Sequence, residues 1–267
     1  KKLFKGKITL RAHNVEYKIW DRMSVNASNP LKKKYLKLLS ERLKKFEIKT
    51  YNRVNAICAM TQLDASDIEQ VSRNKNVLAV PSGYISTDVA SSLITVEANS
   101  IFHIASMNWQ PNVEALNWFM DKVWPAVFKQ NPIAKLYLAG REMSPELLQL
   151  NRPNVLVVGE VSTAKEFFMS KEIMIVPLLS GSGMRIKIIE GMALGKVIIS
   201  TSIGAEGILC THGKNILIAD NPTDFANNIL KVLTDKEYCT RISSNAKRLI
   251  QEEYNNDTVC KNMLFFL

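Results

Sequence analysis

Gly181-Ser182-Gly183, Arg185, Lys187 and Glu190 are the residues of this chain whose types and spacing suit them to hold a phosphorylated ligand. A glycine-bracketed loop that feeds a helix leaves backbone N–H groups open, with the positive end of the helix macrodipole behind them. Arg185 and Lys187 fall in or beside the first turn, where that dipole disfavours each cation by roughly 0.3 kcal/mol or more, so a bound anion is the expected reason for them. Glu190, three residues after Lys187, shares its helical face and can accept hydrogen bonds from a ribose diol. The same two residues also suit an ordinary Lys187/Glu190 salt bridge on a crossover helix, and the pattern by itself leaves both readings open.

The elements that must position these groups surround them. Residues 173–176 form an apolar run ended by Pro177, residues 184–194 have a helical pattern closed by Gly195, and residues 197–199 form a second apolar run. Ile186, Ile189 and Ala193 lie on one side of that helix, and Ile188 and Met192 on an adjacent one. Most of its circumference is therefore expected to be buried, leaving Lys187, Glu190 and Gly191 as the one non-apolar stripe. Further strands are expected at 7–11, 56–60, 77–80, 100–106, 135–139, 155–158 and 215–219. Helices are expected at 17–25 capped by Asn14, at 31–53, 62–71, after Pro111, after Pro145, at 163–169, 223–233 and 236–253. In the helix at 31–53 the stripe Leu31, Tyr35, Leu38, Leu39, Arg42, Leu43 and Phe46 reads as the core side.

Strands alternating with helices imply parallel sheets with βαβ crossovers, and ligands of such sheets gather at the carboxyl ends of the strands. Residues 181–187, Glu190, Glu160, Val161 and the turn Gly204-Ala205-Glu206 are therefore expected to line one crevice.

The 267 residues are 46% hydrophobic and 22% charged, the composition of a soluble globular chain, and no apolar run approaches the ~18 residues of a membrane span. Cys58, Cys210, Cys239 and Cys260 are far apart and have only His13, His103 and His212 to join them, which points to reduced thiols and away from a metal site. Charge is unevenly divided. Residues 1–53 hold 16 Lys or Arg against 4 Asp or Glu, and the remainder holds 19 against 21. Such a segment attracts an anionic membrane face or a pyrophosphate-bearing acceptor, unless it is only a solvated helix face. A nucleic-acid partner is set aside because no recognition motif accompanies the charge.

Residues 181–208, GSGMRIKIIEGMALGKVIISTSIGAEGI, resemble the donor-binding segment of family 4 (group 1) nucleotide-sugar glycosyltransferases, two Rossmann-like domains facing each other in the GT-B fold. The segments Asn108 to Asn112, Leu138-Ala139-Gly140, Gly159-Glu160-Val161 and Thr201 with Gly204-Ala205-Glu206-Gly207 are similar to what that family places around its nucleotide. Arg11-Ala12-His13-Asn14-Val15-Glu16 looks like the segment whose histidine, here His13, points into the cleft near the reacting centre. Two departures stand out. The family's paired glutamates have Glu190 as the second member, but the first falls on Ser182, and the Arg/Lys pair many members carry after the first donor-domain strand is missing around residues 105–112.

The resemblance implies an α/β GT-B chain. Residues 1–84 would be the back part of an N-terminal domain, 85–98 a linker, 99–250 the donor domain, and 251–267 a helical segment returning to the first domain. It implies sugar transfer from a nucleotide-sugar donor to a glycan or lipid-linked acceptor, retaining and metal-independent. No cofactor is expected beyond the donor substrate, and the location implied is cytoplasmic, with peripheral membrane contact through residues 1–53. Gly181, Ser182, Gly183, Arg185, Lys187, Glu190, Glu160, Val161, Gly204, Ala205 and Glu206 would bind the donor. A nucleotide-sugar binding module without turnover and a nucleotide-sugar epimerase of the same architecture are the alternatives.

Overall fold

The first strand, β1 (Thr9–Ala12), runs into two helices, α1 (Glu16–Asn26) and α2 (Pro30–Tyr51), before β2 (Ala56–Ala59), α3 (Gln62–Val71) and β3 (Val77–Ala79) follow. This is a computed structural model, and it describes residues 6–84, 94–181 and 183–266. The three strands are parallel in the order β1-β2-β3. Local capping fixes two of the helices. Asn29 accepts hydrogen bonds from the Leu31 and Lys32 N–H groups at the start of α2, ahead of Pro30, and the Thr61 hydroxyl accepts from the Asp64 N–H at the start of α3.

The first helix is capped differently from the expectation. Val15, not Asn14, holds the cap position, and the N–H groups of Glu16 and Tyr17 donate to the Glu47 carboxylate at 3.0 and 2.9 Å. A carboxylate from α2 thus does what a local side chain was expected to do, and it places negative charge at the favourable helix end.

A second expectation also fails on α2. Leu36 and Ser40 are buried, Leu39 and Leu43 half-buried beside them, while Leu31 (80% exposed), Tyr35 (59%), Leu38 (47%) and Phe46 (66%) face solvent. The helical period produces two apolar stripes on α2, and among the described residues the one turned toward α1 is the one that is covered.

The second sheet begins at β4 (Ser100–Ile104) and continues through β5 (Lys135–Ala139), β6 (Val155–Gly159), β7 (Ile173–Val176), β8 (Val197–Ser200) and β9 (Leu217–Ile218). All six strands are parallel, in the order β6-β5-β4-β7-β8-β9. Its connecting helices are α4 (Gln110–Trp118), α5 (Trp124–Gln130), α6 (Pro145–Leu148), α7 (Ala164–Ser170), α8 (Ile186–Ala193), α9 (Pro222–Thr234) and α10 (Lys236–Glu253).

Alternation along the strands feeds two cores, one on each face. Ile101, Ile173 and Ile175 join Phe119, Val127 and Phe225 on one side, while Phe102, Met174 and Val176 join Ile188, Met192 and Ile250 on the other. Continuous burial on both faces is why β7 and β8 read as unbroken apolar runs.

The helix expected after Pro111 is divided. A five-residue π turn, Phe119–Val123, separates α4 from α5, and the Trp124 N–H closes it on the Phe119 carbonyl. Pro125 follows at the start of α5; it has no N–H for the helical ladder and its ring crowds the preceding turn, so the extra residue is absorbed there.

A last helix, α11 (Asn256–Phe266), carries the chain back to the first sheet, where Val259 packs with Cys58 and Val80. Beside it the Tyr84 N–H donates to the Tyr254 carbonyl at 2.7 Å, and Tyr84 forms a parallel bridge with Asn255. Most of the expected linker, residues 85–93, lies outside the described residues.

Candidate functional site

The strand order of the second sheet reverses between β4 and β7, so their outgoing connections diverge and leave a crevice at the carboxyl ends. A hollow of about 480 Å³ opens there. Ala105 and Gly140 contribute to its wall from the loops after β4 and β5, Glu160 and Val161 from the loop after β6, and Lys187 and Glu190 from α8. Gly140 has φ +138°, and a Cβ on it would lie 1.7 Å from the Ala105 carbonyl oxygen, so only glycine lets these two loops meet. A more enclosed hollow of about 360 Å³ lies beside the π turn, lined by Met107, Leu116 and Arg152 among others, and holds none of the expected site residues.

Helix α8 starts at Ile186, two residues later than its apolar pattern predicts, with Arg185 in the cap position. Lys187 is therefore in the first turn. Its side chain as a whole is half-buried, but the ammonium end is surrounded by protein and donates to the Ile104 carbonyl at 3.2 Å. Burial first, and the charge of Arg185 second, push Lys187 down to about 7.

Burial also pushes the Glu190 carboxyl up, and Glu190 is close enough to Tyr84 to add to the rise that burial causes there. Among the described residues no ion pair joins Lys187 to Glu190. Beneath them His103 of β4 is fully buried, and its Nδ1 donates to the Ile175 carbonyl at 3.1 Å in the tautomer that this contact requires. Burial, then the charge of Lys187, lower it to about 3, so the ring is neutral.

The remaining expected residues form a second group, where the first-sheet part meets the second. Arg185 is only 7% exposed and turns back on its own loop, donating to the Gly183 carbonyl and to the Ile203 carbonyl at 3.3 Å. Burial lowers it to about 10. Gly181 and Gly183 have φ of +139° and +77°. A Cβ on Gly181 would sit 2.6 Å from Arg185 Nη2, and one on Gly183 would sit 2.1 Å from Asn14 Oδ1 and 2.7 Å from the His13 carbonyl oxygen. The bend expected to lie open is thus covered by Arg185 and by the His13-Asn14 segment, and Ser182 lies outside the described residues.

Gly204 donates to the Thr201 hydroxyl at 3.0 Å, Ala205 is buried, and Glu206 is taken by a residue the sequence did not single out. That residue is Arg22 of α1. Its guanidinium forks onto the Glu206 carboxylate at 2.5 and 2.6 Å and also donates to the Gly181 carbonyl, while Asn26 donates to the Leu179 carbonyl at 3.2 Å. The single crevice expected therefore resolves into two groups: Lys187, Glu190, Glu160 and Val161 around the open hollow, and, away from it, Gly181, Gly183, Arg185 and Glu206 at the contact with Arg22 and the His13-Asn14 segment, with Gly204 beside Ser200 and Thr201 and Ala205 in the core. Arg22 carried no local signal. It is one cation in a basic segment, and its partner is 184 residues away.

Two parallel sheets with Rossmann-like crossovers, and a hollow at the switch point of the second, define the GT-B architecture. The HepE protein of Anabaena, solved in complex with UDP and glucose, superposes with a TM-score of 0.72 at 15% identity, over 97% of this chain and 70% of that one; the likeness is one of fold. The family model described as "Glycosyl transferases group 1" matches residues 98–235, and the chain belongs to that family.

Two curated relatives are similar to part of this chain. The "Uncharacterized 44.6 kDa protein in cps region" of Klebsiella pneumoniae is 29% identical over 169 residues, 60% of this chain and 44% of the relative. The "Uncharacterized glycosyltransferase MJ1607" of Methanocaldococcus jannaschii is 26% identical over 171 residues, 60% of this chain and 42% of the relative. The chain spans less than half the length of these two relatives.

Proposed function

We propose that this chain forms the donor side of a sugar transferase that takes a nucleotide-activated sugar and passes the sugar to a glycan or lipid-linked acceptor, with retention at the anomeric carbon. The observation that carries the reading is that Lys187 and Glu190 face one open hollow without pairing with each other. An ordinary crossover helix would spend them on a mutual salt bridge. Glu190 would accept from the ribose hydroxyls, the Glu160-Val161 loop would flank the base, and Lys187 would meet the diphosphate.

In the transfer the bond from the anomeric carbon to the phosphate oxygen breaks and its electron pair leaves with the nucleoside diphosphate. The acceptor oxygen bonds to that carbon and its proton passes to the departing phosphate. Catalysis then rests on holding the growing negative charge, for which Lys187, with Arg185 close enough to depress it, supplies preorganised positive charge without a metal. His13 would lie near the reacting centre as a positioning group. The test is titration of nucleoside diphosphates into this chain, followed by donor hydrolysis and transfer assays on it and on a longer chain containing it. Tight binding with no turnover in either favours the binding module, conversion of the donor with no acceptor added favours the epimerase, and no binding at all removes the reading.

A further inference from the structure

Of the two cations that the sequence places at the open hollow, only Lys187 reaches it. Arg185 is held by the Gly183 and Ile203 carbonyls and forms no part of the wall. Glu160 and Glu190 do line the hollow, so Lys187 would otherwise meet a diphosphate beside two carboxylates. A site of that sign repels the ligand it is meant to hold.

One more cation lines the hollow, and the sequence did not single it out. Arg141 follows β5, its side chain is exposed, and it joins no ion pair among the described residues. Its backbone is held from both sides. The Arg141 carbonyl accepts from the Met107 N–H at 2.9 Å and the Ala139 carbonyl from the Ala105 N–H at 3.1 Å, which ties this loop to the one after β4. The Gly140 N–H donates to the Gly159 carbonyl at 2.8 Å, which ties it to the end of β6. Glu142, in a left-handed conformation with φ +58°, lines the enclosed hollow beside the π turn, and Arg141 is the last residue of the loop to line the open one.

We propose that Arg141 is a donor-binding residue that, together with Lys187, grips the diphosphate of the nucleotide sugar. The inference rests on the sugar-transfer reading of this hollow and adds to it a residue from a different loop. Both cations abut the short stretch 104–107: Lys187 through its ammonium on the Ile104 carbonyl, and Arg141 through its own carbonyl under the Met107 N–H. A diphosphate laid over residues 105–106 lies between them. The guanidinium offers two parallel N–H groups to two phosphate oxygens, which an ammonium, a point charge, does not. Negative charge grows on the departing diphosphate during transfer, and a second cation on a loop already held in place stabilises it there.

The test is calorimetric titration of the full chain with the uridine, guanosine, adenosine and cytidine diphosphates and their monophosphates. The parent is expected to bind a diphosphate more tightly than the matching monophosphate. Arg141→Ala should weaken that diphosphate roughly tenfold or more and the monophosphate much less, and Arg141→Lys should restore only part of the loss. Melting of the empty chain should be the same in all three, since the side chain is exposed. Diphosphate binding that survives Arg141→Ala intact overturns the proposal while leaving the sugar-transfer reading in place. So does an equal loss for diphosphate and monophosphate, which assigns Arg141 to the base or the ribose. A parent that binds none of these nucleotides removes both.

Discussion

Arg22 holds Glu206 across the junction of the two sheets through two parallel N–H···O contacts of 2.5 and 2.6 Å, with both side chains mostly shielded from solvent. Removing one partner leaves the other charge without its fork, so Arg22→Ala is expected to cost roughly 1 to 3 kcal/mol in urea unfolding. Arg22→Lys should recover only part of this, because an ammonium cannot grip a carboxylate at two points. An unchanged urea midpoint for Arg22→Ala means that the contact is ornamental.

Lys187 gives a pH dependence of unusual sign. Its value in the folded chain is about 7, against an ordinary 10.5, so between those values the unfolded chain binds more protons and the stability of the empty protein rises with pH. A diphosphate favours the charged ammonium, and binding draws a proton in. Affinity is therefore expected to hold at neutral pH and to fall as pH rises toward about 9. Lys187→Met should raise stability at neutral pH by on the order of 1 kcal/mol while weakening nucleoside diphosphate binding by roughly 1 to 3 kcal/mol. Calorimetric titration at two pH values settles it, and an affinity that is flat or increases with pH defeats the assignment.

Glu190 should discriminate by ligand. If its carboxylate takes the ribose hydroxyls, Glu190→Ala weakens nucleoside diphosphate binding by roughly 1 to 3 kcal/mol and leaves inorganic pyrophosphate unaffected. Equal losses for both ligands, measured by competition, would mean that it acts through Lys187 instead.

Gly140 tests the wall of the hollow. A methyl group there meets the Ala105 carbonyl in a backbone conformation that L-residues rarely adopt, so Gly140→Ala is expected to lower stability by roughly 2 kcal/mol or more and to weaken nucleotide binding. Wild-type melting and binding would show that the two loops separate freely.

Glu97 adds an acid-sensitive contact to the second-sheet half. Burial by itself would raise its carboxyl, but hydrogen bonds from Lys171, Lys135 and Tyr137 outweigh it and hold the group down to about 2. A depressed carboxylate contributes stability that is present above its ordinary value of 4.5 and is lost as pH falls toward 2. Glu97→Gln should therefore lower stability by roughly 1 kcal/mol at neutral pH and flatten the acid transition seen by circular dichroism.

The second-sheet half was legible because its central strands β7 and β8 are buried on both faces and α6, α9 and α10 begin at side-chain caps. β5, β7, α3 and α10 fall at the ends their patterns give. What escaped was decided by partners distant in sequence. Glu47 rather than Asn14 serves α1, and which apolar stripe of α2 becomes core depends on where α1 lies. The π turn follows from Pro125 but lies upstream of it, where composition shows nothing. At the site, Lys187 and Glu190 were legible because a polar stripe on an otherwise apolar helix is conspicuous. Arg22 was not, because a surface cation in a basic segment resembles its neighbours until the fold brings Glu206 to it.

The chain passes between its two halves beside Tyr84 and again beside Asn255, and these passages lie side by side, bonded to each other. Backbone bonding at this crossing ties the two halves together at one place, and the Arg22–Glu206 fork ties them at a second, so α1 and Gly181 are held in register from two separate points. Gly83 lets the two passages lie this close, since a Cβ there would lie 2.0 Å from Asn256 Oδ1 and make that side chain turn aside.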